Sequence, residues 1–232
     1  MNSIKKVRVF FIACILIIFL VFLSLPVSAQ TQEKTDGYKL KEIVVSAGED
    51  AISSGLTGIV RFQNGKNRLI EVALQQEQAW VLFGPKFKMG RIDGFVAGSV
   101  GHFQGAPWAG PFLTLSVPVT KIGGHGQEVT LSIMQWPCFF LGWEPRDWRN
   151  DGKPPNTESV FLGYLSSFQL GIGPVGLVYS KLSFLDDPWN TLPGINYTYH
   201  IRKDFSVAGS ATWNNNANKW MFYVGVTWKK LQ

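Results

Sequence analysis

Trp220-Met221-Phe222-Tyr223-Val224-Gly225-Val226-Thr227-Trp228-Lys229 is the stretch that decides the fold. Trp220, Phe222, Val224, Val226 and Trp228 alternate with Met221, Tyr223, Gly225, Thr227 and Lys229. A β-strand sends successive side chains to opposite faces, so the run has one apolar face and one mixed face. The rhythm recurs upstream. Ile195, Tyr197, Tyr199 and Ile201 alternate with Asn196, Thr198, His200 and Arg202. Phe205, Val207 and Trp213 alternate with Ser206, Ser210 and Thr212. Small polar and basic side chains fill a dry core poorly. They suit a barrel in a membrane, with lipid outside and water inside.

Working back from this stretch, strands are expected near 218–229, 204–214, 192–202, 174–186, 158–170, 127–141, 109–121, 91–103, 78–90 and 67–75. Most have the length of a tilted membrane crossing. Short connections near Lys203, Gly171–Pro174, Ile122–Gln127 and Gly90 alternate with longer polar ones. The longest runs from Glu144 to Glu158. Short turns on the periplasmic side and long loops outside are the habit of outer-membrane barrels. The fold expected is therefore all-β, an antiparallel up-and-down transmembrane β-barrel of ten strands over 67–232. It becomes twelve if Leu40–Ser46 and Gly58–Gln63 join through the Asn64-Gly65 turn, and an even number fits either way. Residues 30–66 are otherwise an N-terminal periplasmic or lumenal segment. The competing fold is a secreted β-sandwich with polar outer faces. Phe161–Leu170 and Arg91–Phe103, apolar on both parities, keep it open.

Lys5, Lys6 and Arg8 precede an apolar run from Val9 to Leu25 and the small-residue pattern Val27-x-Ala29. This reads as a secretory leader over 1–29, cleaved before Gln30. Cleavage removes three of 22 basic residues and no acid, taking the net charge from +6 to +3. That charge gives no reason to expect nucleic acid. Cys138 is then the only cysteine, so no disulfide or thiolate metal cluster is expected.

Leu40-Lys41-Glu42-Ile43-Val44-Val45-Ser46-Ala47 resembles the TonB box of TonB-dependent outer-membrane receptors. The resemblance implies that Glu42, Ile43, Val44, Val45 and Ser46 contact TonB, the energy-coupling protein, by adding a strand to its sheet. That family also has a plug and a 22-stranded barrel, for which this chain has no room. The last strand, ending at Trp228, resembles the signal read by the barrel-assembly machinery.

His200 faces the parity of Ser206 and Ser210, but no acid completes a triad, so no catalytic residue is assigned. His102, His125 and His200 are too scattered for a metal site, and no cofactor is expected. Asp186-Asp187 is read as a solvated loop pair rather than a calcium site. On the mixed parities, Lys86, Lys88, Arg91, Asp93, Asn196, His200 and Arg202 are expected in the lumen, where they would make it mildly cationic. Three functions fit. The first is an outer-membrane transport barrel, as a small pore or a minimal TonB-linked receptor for a small polar or anionic solute. The second is a structural or binding barrel. The third is a lipid-modifying barrel enzyme.

Overall fold

Alternation persists through the chain in the computed structural model, and its two parities separate cleanly into an inner and an outer face. The structure describes residues 37–49, 54–76, 78–103, 106–123, 127–141, 160–184 and 190–230. The leader, the Glu144–Glu158 loop, His125 and Asp186-Asp187 lie outside these residues.

Twelve antiparallel strands close into one barrel. They are β1 (Lys39–Glu49), β2 (Ser54–Gln63), β3 (Arg68–Gln75), β4 (Gln78–Met89), β5 (Ile92–Phe103) and β6 (Ala106–Ile122). Then come β7 (Gln127–Leu141), β8 (Val160–Ile172), β9 (Val175–Phe184), β10 (Asn190–Arg202), β11 (Phe205–Asn214) and β12 (Lys219–Lys229). The larger expected number therefore holds, and the wall begins at Lys39 rather than at residue 67. Asn64 makes this possible. Its side-chain oxygen accepts from the backbone of Lys66 and Arg68, and Asn67 takes a positive φ of 57°. An asparagine tolerates that conformation better than most residues, so the chain reverses tightly and β2 pairs with β3.

Closure is made by β1 and β12, from Glu42 opposite Lys229 to Gly48 opposite Tyr223. Ser46 and Tyr223 hydrogen-bond across this seam, and the backbone of Lys230 donates to the Lys41 carbonyl at 2.9 Å. Each strand of this closed sheet is thereby paired on both sides, which removes the open sheet edge.

The outer parity exposes Val45, Leu56, Leu74, Phe83, Val100, Phe168, Leu177, Ile195, Phe222 and Val224. Trp213 and Trp220 pack edge-to-face at the ends of β11 and β12, at 5.5 Å between ring centroids. A water-soluble sandwich would present polar groups here and bury these side chains. The inner parity is not uniformly polar, which departs from the simple expectation. Strands β4–β7 turn Leu82, Phe95, Phe103, Trp108, Phe112 and Phe140 inward, each buried.

Candidate functional site: the barrel interior

The interior has three sectors, each set by strand register. The first carries paired charge across the closing seam. Register places Glu42 beside Lys229 and Arg61, and Arg61 beside Glu71. The Arg61 guanidinium donates to Glu42 and, through Nε, to Glu71 Oε2 at 2.6 Å. Glu71 Oε1 also accepts from Trp80 Nε1 at 3.0 Å, and Lys229 Nζ lies 3.8 Å from Glu42. A two-sided guanidinium fork suits this geometry better than an ammonium point charge. Lys86 points inward from β4, and among the described residues no acid lies within ion-pairing distance of it.

The second sector is aromatic. The Trp136 ring meets Phe112 at 5.2 Å, Trp108 at 5.3 Å and Trp80 at 5.8 Å, all edge-to-face. Its Nε1 donates to Ser99 Oγ at 3.0 Å, and Ser99 donates onward to the Gly110 carbonyl at 2.6 Å. The polar atoms within this apolar wall are thus satisfied. Gly110 permits the close approach, because a Cβ there would collide with the Pro137 carbonyl. Trp80 belongs to both sectors and ties the ring cluster to the charged one.

The third sector runs over β8–β12. Ser167, Gln169, Ser180, Asn196, Thr198, Ser210, Thr212 and Tyr223 face inward and stay half-buried. Ser180 donates to Ser167 at 2.9 Å. Toward the loops this wall carries a small apolar patch of Leu182, Leu192 and Met221.

Several sequence expectations fall elsewhere. Arg91 lies exposed in the turn between β4 and β5, because the strand parity used to place it does not reach that far. Lys88 and Asp93 are register partners at 3.7 Å, with side chains 69% and 62% exposed, so they form a hydrated rim pair. Arg202 pairs with Asp204 at 3.4 Å, also toward the turns. Asn196 and His200 are register partners of Ser210 and Ser206 on the inner face, with His200 exposed. Of the stretch compared with a TonB box, Glu42, Val44 and Ser46 point inward while Ile43 and Val45 point outward. The interior is therefore more balanced in charge than the expected cationic lumen. Sequence reasoning missed Arg61, Glu71 and the Trp136 cluster.

No protein-family profile matches the chain, and no curated protein matches its sequence. Solved structures do match its fold. The KdgM porin aligns over 83% of this chain and 100% of its own, at 9% identity and TM-score 0.53. A structure of the KdgM porin in complex with disordered oligogalacturonate gives 10% identity, TM-score 0.54, and 82% and 99% coverage. The NanC porin gives 11% identity, TM-score 0.52, and 83% and 100% coverage. At these identities the likeness is one of fold.

Proposed function

We propose that this chain is an outer-membrane barrel that passes small polar or anionic solutes passively, along the β8–β12 side of its lumen. One observation carries the reading: a half-buried run of mostly small polar side chains, bounded toward the loops by Leu182, Leu192 and Met221, lies inside a cylinder whose outer face is largely apolar. Water-reachable hydroxyls and amides along one wall suit a narrow wet path, while the aromatic wall narrows it. Lys86, with no acid within ion-pairing distance among the described residues, supplies a cation that draws anions. The porin names of the structural neighbours agree with this role, and the oligogalacturonate in complex with the KdgM porin is a polyanion. Energy coupling has less support. β1 is hydrogen-bonded on both sides, and lending Glu42–Ser46 to TonB would open the barrel.

Planar-bilayer recording tests the proposal. The wild-type protein is expected to give discrete steps, and Lys86→Glu to move the reversal potential toward cations by a factor of about two or more in permeability ratio. Silence at every voltage overturns it. The location has its own check. Protein isolated from outer membranes is expected to begin at Gln30, and an N-terminus still carrying Val9–Leu25 would show the leader to be an anchor.

A further inference from the structure

The two ends of the barrel are charged differently. At the turn side, Lys66 and Arg68 flank the β2–β3 turn, Lys88 and Arg91 the β4–β5 turn, and Arg202 and Lys203 the β10–β11 turn. Lys39 opens β1, Lys229 ends β12 with Lys230 after it, and Lys121 lies one residue from the end of β6. All ten are exposed. The acids described at this end are Asp93, Glu128 and Asp204, and two of them are already taken, by Lys88 at 3.7 Å and Arg202 at 3.4 Å. Glu42, inside the seam, belongs to Arg61 and Lys229. At the loop side the described strand ends carry one charge of each sign, Glu49 and Lys219, and these pair. In the sequence, the connections beyond those ends, 50–53, 77, 142–159 and 185–189, hold eight acids and three cations.

Strand parity aims the turn-side charge. Lys39, Lys88, Lys121 and Lys229 stand on the inner parity, opposite Gln63, Asp93, Glu128 and Glu42. Arg68 and Arg202 share the outer parity of Pro85 and Phe205, and the others sit at the turns or the chain end. The outer parity near this end otherwise shows Met89, Ile122 and Tyr199, each exposed. Most of the ring therefore surrounds the mouth rather than the lipid-facing wall. Deeper inside, Arg61 lies between Glu42 and Glu71, so much of the interior charge cancels. Like charges gathered around an opening with low-dielectric walls focus their field on the water within it. Enrichment of an ion there grows exponentially with its charge, so a doubly charged anion gains the square of what a single charge gains. We infer that this ring concentrates multiply charged small anions at the turn-side mouth and makes anions enter faster from that side than from the loop side. The inference rests on the conducting reading proposed above, and it adds to Lys86 a second, outer determinant of selectivity.

The test records single channels of the full chain in neutral phosphatidylcholine bilayers. In about 0.1 M salt, where a charge acts over about 10 Å, the current should be about twice as large with the loop side positive, because anions then enter from the enriched mouth. In about 1 M salt, with screening over about 3 Å, the asymmetry should fade. A biotin at the C-terminus, which β12 carries to the turn side, reports orientation when streptavidin is added to one chamber after recording. The triple variant Lys66→Glu, Arg91→Glu, Lys203→Glu should reverse the asymmetry. It should also lower the permeability of malonate relative to acetate, read from bi-ionic reversal potentials, by about twofold or more. The corresponding glutamine triple should fall between. Open channels with symmetric currents in about 0.1 M salt overturn the inference and leave the pore standing. So do triple variants that conduct as wild type does. Asymmetry that arises only when anionic lipid is added assigns the ring to headgroups and overturns it as well. Silence at every voltage removes the pore and the inference together.

Discussion

Replacing Arg61 with methionine is expected to destabilise the barrel by about 3 kcal/mol, the lower end of what removing one partner from a buried ion pair costs. Glu42 and Glu71 are the reason. Their side chains are 13% and 9% exposed, and both point at the guanidinium. Without it, two carboxylates face each other with little water to separate them. Arg61 itself is 30% exposed, so some hydration enters and the loss stays below the upper range. Lys229, at 3.8 Å, offsets part of the charge on Glu42 but does not reach Glu71 in the same way. Urea unfolding in detergent micelles, followed by tryptophan fluorescence, measures the change. Trp80 adds a local reporter, because its indole donates to Glu71. The combined variant Glu42→Gln, Arg61→Met, Glu71→Gln should recover most of the loss, since no orphan charge remains. Failure to recover would mean that Arg61 acts through packing of its stem rather than through charge.

This network also shows why the sequence is readable in some places and not in others. The outer face was legible because Ile195–Ile201 and Trp220–Trp228 alternate strongly against polar neighbours. Parity alone gives the faces there. Glu42, Arg61 and Glu71 are separated by 19 and 10 residues and meet only once β1, β2 and β3 are in register. A slip of one residue would turn Arg61 onto the apolar outer face, so the contact depends on pairing that no local pattern specifies. A bulge between Leu40 and Glu42 shifts the phase once more. The run Ile43-Val44-Val45 shows no alternation, because Val44 packs inward beside Ile59 and Thr227 while its neighbours face out. A short β-prone run of that kind reads equally well as a docking segment or as a wall strand. Only its hydrogen bonds on both edges separate the two.

The aromatic wall was hidden for a different reason. On β4, Trp80 and Leu82 face in while Val81 and Phe83 face out, so both parities are apolar and neither period stands out. Lumen-filling strands of a narrow barrel resemble core strands of a sandwich, which is why that alternative stayed open from sequence. Gln135, Ser166, Lys181 and Thr191, register partners on the outer parity, were masked in turn. Polar residues on a strand are read as lumenal by default, and only the exposure of Phe168 and Tyr179 on the same parity reverses that reading.

Trp136→Ala joins these two halves of the interior in one experiment. The indole is the hub of three edge-to-face contacts, and removing it leaves Trp108, Phe112 and Trp80 without their common neighbour. Truncating a ring of this size in a packed site costs about 3–5 kcal/mol. No polar atom is stranded, because Ser99 keeps its bond to the Gly110 carbonyl. The loss should therefore appear as a cavity effect, with the urea midpoint lowered and the slope unchanged. If the aromatic wall is what narrows the path, the same variant should conduct in larger steps. The opposite change belongs on the opposite wall. Ser210→Trp places a ring among Asn196, Thr212 and Tyr223, and should shrink or abolish the steps while leaving the Trp136 cluster intact. Larger steps in the first variant and smaller ones in the second would place the solute path along β8–β12. Unchanged steps in both would mean that the conducting path does not run between these walls, whereas silence of the wild type and of both variants would mean that the polar sector is hydrated filling in a closed cylinder.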